Sequence, residues 1–97
     1  MIVRLMGEGQ YRVEGDAVET LHQLDSEAGA ALERGDEQEL HLLLAQMGSL
    51  VRERGERLDD ADLSASDAIV PPDDLSLDEA KQLFQGEGLI PDLPTAG

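Results

Sequence analysis

An α+β fold is the expectation for this chain, with an N-terminal β-hairpin packed on an antiparallel helical hairpin and a short C-terminal helix behind them. Three observations carry it. Two short β-prone runs flank Gly7, Glu8 and Gly9. Two long segments then repeat apolar residues every three or four positions, with only Gly35 and Asp36 between them. Finally, Pro71 and Pro72 close a short apolar run, and a helix-capping signal follows.

Ile2, Val3 and Leu5 make the first run, and Gln10, Tyr11, Arg12 and Val13 the second, so residues 1–14 read as a hairpin. Gly7 and Gly9 supply the positive φ of its turn. A Gly-x-Gly also opens the dinucleotide fingerprint, but that motif needs a third glycine and a helix whose N-terminus holds the pyrophosphate. Arg12 stands at the third-glycine position, the chain there reads as extended, and no phosphate-binding lysine follows. The loop is read as a turn.

Asp16 and Glu19 have the spacing of a capping box, with Asp16 expected to accept from first-turn amides. Val18, Leu21, Leu24, Ala28, Ala31 and Leu32 follow as an amphipathic stripe. Gly35 is a natural stop, and Asp36 with Glu39 repeats the capping signal. Leu40, Leu43, Leu44, Met47, Leu50 and Val51 form the second stripe, ending near Gly55. Helices joined by so short a link fold back on each other, which makes residues 16–55 a helical hairpin. The next stretch, residues 56–75, reads as an acidic loop. Within it Ala68, Ile69 and Val70 are a candidate third strand, because proline ends ladder pairing after them. Ser76 and Glu79 form a third capping box, opening a helix with Leu77, Ala80, Leu83 and Phe84 that stops at Gly86 and Gly88. A proline-punctuated tail completes residues 76–97. The 97 residues make one domain, near the size at which a single core becomes self-sufficient.

Composition narrows the functions. Tyr11 and Phe84 are the only aromatic residues, so aliphatic side chains must build the core. The chain has no cysteine, which removes disulfides, thiolate catalysis and cysteine-ligated zinc. The N-terminal stretch lacks the apolar run of a signal peptide, and no segment is apolar enough to span a bilayer, so a cytoplasmic protein is expected. Twenty-two acidic residues against seven basic give a net charge of −15. That field repels nucleic-acid backbones and anionic head groups, and it attracts a partner with a basic face. The acidity also serves solubility or tolerance of a high-salt cytoplasm. Its distribution is uneven, since all six arginines lie before residue 59 and only Lys81 follows.

Chemistry-bearing residues do not assemble into a catalytic set. Glu19 and His22 have the spacing of a carboxylate-bridged metal helix, and Glu37 lies one turn from His41. In an antiparallel hairpin turning at Gly35, however, the two histidines stand roughly 10 Å apart in height at about 1.5 Å per residue. They are read as surface histidines beside acidic neighbours. No serine has a nucleophile-elbow setting, and Ser76 is already a cap. Asp59, Asp60 and Asp62 suggest calcium, but counting a loop from Asp60 puts Ala65 and Pro71 where glycine and glutamate are required. No cofactor and no catalytic residue is expected, and the chain is read as a non-enzyme. Arg52, Arg54 and Arg57 suit the C-terminal dipole of the second helix. The acidic C-terminal segment is the candidate partner-binding surface, through Asp73, Asp74, Leu83, Phe84, Leu89 and Ile90, which would receive a basic amphipathic helix.

Taken in order, the opening MIVRLMGEGQYRV, the helix pair with its turn at Arg34, Gly35 and Asp36, and the late SDAIVPP and GEGLIP segments resemble PspAA, the PspA-associated family. Each motif is a turn or cap signal; the ordered set spans nearly the whole chain. The resemblance implies an accessory protein without catalytic activity. It would act with PspA, a coiled-coil membrane-remodelling protein of the phage-shock envelope-stress response, and it would reach the membrane only through that partner. PspA-like proteins offer long charged helices, which a −15 domain can approach electrostatically. Self-association into a homodimer is the alternative expectation.

Overall fold

A computed structural model describes residues 1–59 and 65–83 of the chain. It has the expected α+β architecture, with four strands and three helices in the described residues. Strand β1 (Ile2–Leu5) pairs antiparallel with β2 (Gly9–Arg12), placing Val3 opposite Tyr11 and Leu5 opposite Gly9. The turn between them closes with the Glu8 amide donating to the Leu5 carbonyl at 2.9 Å. Gly7 sits at the third position of that turn with φ 87°, the sign a type II turn requires and L-residues avoid.

Helices α1 (Asp16–Arg34) and α2 (Glu37–Arg54) form the expected hairpin. Gly35 closes α1 in the left-handed conformation, φ 71°, and its amide bonds the Leu32 carbonyl at 3.0 Å. Asp36 then caps α2, its carboxylate accepting from the Glu39 amide at 3.2 Å. The start of α1 departs from expectation. Gly15, not Asp16, is the N-cap; Asp16 already lies inside the helix and its side chain caps nothing. Gly15 takes a φ of 63°, a bend that carries the chain from the sheet into the helix and places Asp16 one step past the capping position.

The sheet is completed after the helices. Strand β3 (Glu56–Arg57) pairs antiparallel with β2, and β4 (Ala68–Val70) pairs parallel with β1. The strand order is β3-β2-β1-β4, so the two strands of the hairpin are central. The candidate strand at 68–70 is therefore present. Strand β3 lies within what reads as loop, because two exposed charged residues carry no apolar alternation. Helix α3 (Leu77–Leu83) opens with both bonds of its capping box, Glu79 amide to Ser76 Oγ and Ser76 amide to Glu79 Oε1, each 3.2 Å. The expected stop of this helix at Gly86 and Gly88 lies outside the described residues.

The helices cover one face of the sheet, and the core lies between them. Val3, Leu5, Tyr11, Val13, Ala68 and Val70 meet Leu21, Leu40, Leu44, Met47 and Val51 there. The inward face of α1 is rotated slightly from the expected stripe. Ala17, Leu21, Asp25, Ala28, Ala31 and Leu32 are buried, whereas Val18 and Leu24 flank the core half-buried. Alanines at 17, 28 and 31 lie on that buried face.

Candidate interaction surface

Where α2 ends, the chain brings three separated segments together. Arg52, in the last turn of the helix, reaches across to Glu8 in the hairpin turn, Nη2 to Oε1 at 2.8 Å and Nε to Oε2 at 2.9 Å. This fork-to-carboxylate geometry fixes orientation as well as charge. Arg57 adds a bond from Nη2 to the Glu8 backbone carbonyl at 3.1 Å. Its guanidinium also lies against Gly9, where a Cβ would approach Nη2 to 3.3 Å. The arginines expected to answer the helix dipole thus also clamp the turn of the hairpin. Hydrogen bonds from Arg52 hold the Glu8 carboxyl below its ordinary range, and Glu8 in return raises the Arg52 guanidinium.

Beside this clamp runs a groove of about 330 Å³ between the turn, α2 and the segment after β4. Leu5, Leu44, Val70 and Pro71 contribute apolar walls, and Glu8, Ser49, Arg52 and Asp73 supply polar groups. Met6, 49% exposed, stands over it from the end of β1. Proline at 71 and 72 ends the pairing of β4 and turns the chain back toward α2. That turn carries Asp73 into the groove and leaves Asp74 on the surface.

The next segment is anchored to α2 by two bonds. His41 Nε2 contacts the Leu75 carbonyl at 2.6 Å, and the Leu77 amide donates to Glu37 Oε2 at 3.3 Å. His41 is therefore half-buried at an inter-element contact and is not the surface histidine that its spacing suggests. Its sequence signal, one turn from Glu37, is a shared anchoring role for α3. His22 lies apart, half-buried on α1 beside Gln23, Ser26 and Glu27. Among the described residues no three histidine, aspartate or glutamate side chains converge as a metal site would need.

Of the candidate partner-binding residues, Asp73 and Asp74 share the turn after β4, and Leu83 is 42% exposed at the end of α3. Leu83 does not line the groove, so the three do not form one pocket. Phe84, Leu89 and Ile90 lie outside the described residues. Glu8 and Met6 are the surface residues that sequence reasoning missed, and the bond of Arg52 to Glu8 lay beyond the helix-dipole role expected of it; the one signal was a glutamate between two turn glycines, a place where a side chain has no packing duty.

The PspA-associated protein family model matches residues 1–92. The chain belongs to this family. The match covers the sheet, the helical hairpin and α3, so the PspA-associated unit is the fold described above. A comparison with curated proteins finds no match, and one with solved structures finds none either. Among the described residues no helix is long and apolar enough to cross a membrane.

Proposed function

We propose that this member of the PspA-associated family is a non-catalytic accessory protein. It binds a PspA-like helical, membrane-remodelling protein and tunes its assembly during envelope stress, working in the cytoplasm and meeting the membrane through that partner. The observation that carries this reading is the family match across residues 1–92. The charge supports it, because a domain of net charge −15 meets the basic stretches of long charged helices with a favourable field, although membrane head groups repel it. Co-purification with the PspA-like protein encoded in the same genome, followed by salt titration, tests it. A complex that forms at low ionic strength and weakens as salt rises is the expected result. Absence of association at low salt, where attraction is strongest, sinks the reading.

One observation favours a second reading, self-association. Among the described residues strand β4 is an edge of the sheet, and its Ile69 is 45% exposed. Unprotected edges pair readily with other strands. Light scattering over a concentration series separates the two, since a strict monomer removes the homodimer.

A further inference from the structure

Helix α2 carries the longest uncharged run of a highly charged chain. Residues 40–51 contain no Asp, Glu, Lys or Arg, and no other such run exceeds five residues in a sequence with 22 acidic and seven basic side chains. Burial in the core explains only part of it. Gln38, Leu42, Gln46 and Ser49 are exposed at successive turns of the helix, with Ala45 half-buried among them. Leu42 is the most exposed large apolar side chain among the described residues, at 57%. The outward side of α1 differs, since Glu19, Glu27 and Glu33 stand exposed there. A helix face turned to water normally carries charge. On α2 that face carries an apolar knob among uncharged neighbours.

We propose that this stripe is a self-association surface, on which two copies of the chain pair through antiparallel α2 helices. The proposal rests on the self-association reading above and places the contact on α2 instead of the β4 edge. Shape fits a second copy. Side chains at 42, 45, 46 and 49 frame one hole on the helix, and Ala45 and Ser49 leave room in it for Leu42 of the other copy as a knob. In a two-fold arrangement each copy supplies both knob and hole, so a single patch completes itself. Charge along α2 fits as well. The helix begins with Asp36, Glu37 and Glu39 and ends with Arg52 and Arg54, so antiparallel packing sets an acidic turn beside a basic one. Seating Leu42 in the hole brings Glu53 level with Arg34 of the second copy, and both are exposed. Parallel helices would instead set like ends together.

Size sets the strength of the contact. A helix of 18 residues is about 27 Å long and about 10 Å wide, so the pair buries less than the roughly 800 Å² per partner of a standard interface. The association is therefore weak and transient, with a Kd of roughly 0.1–1 mM. A net charge of −15 on each copy adds repulsion at long range. At about 0.5 M salt the Debye length falls to roughly 4 Å and this repulsion is screened, whereas an uncharged contact is little affected. Self-association should thus strengthen as salt rises, opposite to a complex with a basic partner helix.

Sedimentation equilibrium of the whole chain, up to about 1 mM and at about 0.05 and 0.5 M salt, tests this. A mass that rises with concentration, more steeply at the higher salt, is the expected result. Leu42→Glu should weaken the association at least about tenfold, and an unchanged melting temperature checks that the variant folds. Cysteine pairs read the orientation, because the chain has no cysteine of its own. The antiparallel register sets residue 38 level with residue 49 of the second copy. Q38C/S49C should therefore oxidise to a covalent dimer faster than Q38C or S49C alone. Within one helix the two positions are about 16 Å apart, too far to bridge. Single variants that cross-link as readily as the double one would mean parallel pairing and overturn the proposal. A dimer unaffected by Leu42→Glu but lost in Ile69→Lys overturns it and leaves self-association through β4 standing. A strict monomer at about 1 mM at both salt levels removes the proposal and the self-association reading together. A monomer that loses the PspA-like protein of the same genome on Leu42→Glu overturns the proposal and assigns the stripe to that partner.

Discussion

Glu8 is a surface residue with a structural task. Its carboxylate sits below its ordinary value of 4.5, chiefly because Arg52 hydrogen-bonds the ionised form. A depressed carboxyl stabilises the fold above its unfolded pKa, and the contribution is lost as pH falls through the folded value. A Glu8→Gln variant should therefore melt below the parent at about pH 7, and the difference should vanish below the ordinary carboxylate range. Paired melts at the two pH values check this, and a gap that persists in acid would assign the effect to shape instead. Capping residues give a second contrast. Asp36→Ala removes the bond to the Glu39 amide and should cost about 1 kcal/mol in urea denaturation. Asp16→Ala has no capping bond to lose and should cost only the few tenths of a kcal/mol that a first-turn carboxylate gains from the helix dipole. Equal losses would mean that Asp16 caps α1 after all.

At the scale of elements, the junction of α2 with β3 has the least room. Gly55 adopts an extended conformation open to any residue, so conformational freedom does not explain it. Space does: a Cβ there would meet the Val51 carbonyl oxygen at 2.5 Å and Tyr11 and Val13 side-chain atoms at 3.2 Å. Gly55→Ala should destabilise by about 1–3 kcal/mol as α2 is pushed from β2. Chemical denaturation reads this directly, and a neutral result would mean that the junction relaxes freely. The helical hairpin depends on its shared stripe. Leu44, fully buried between sheet and helices, should cost about 2–5 kcal/mol when cut to alanine. That is a large share of the roughly 5–15 kcal/mol that stabilises a domain of this kind.

Across the whole molecule, a charge of −15 on 97 residues works against compactness. Screening should relieve it, so the melting temperature should rise by several degrees between low salt and about 1 M salt. A flat profile would mean that acidic neighbours are already well separated. Its long-range field acts on encounter with a partner, so salt should change the rate of association more than that of dissociation.

Much of this fold was readable from local patterns. Gly7 and Gly9 marked the hairpin turn, two stripes of period three to four marked the helices, and Pro71 marked the end of β4. Each signal is local because backbone conformation and amphipathic spacing act over a few residues. Family membership was readable for the same reason, from the order of turn and cap signals. Tertiary structure decided what local rules cannot reach. Strand β3 exists because the chain leaving α2 passes along β2, not because Glu56 and Arg57 favour a strand. Asp16 lost its capping role to the bend at Gly15, and His41 gained a partner at Leu75, 34 positions away. The candidate surface belongs to this second group. Glu8 meets Arg52 across 44 positions. Sequence by itself determined which segments are helix, turn and strand and how much charge they carry. Packing alone decided which charges face each other, because that depends on distances the chain acquires only when its elements close on a common core.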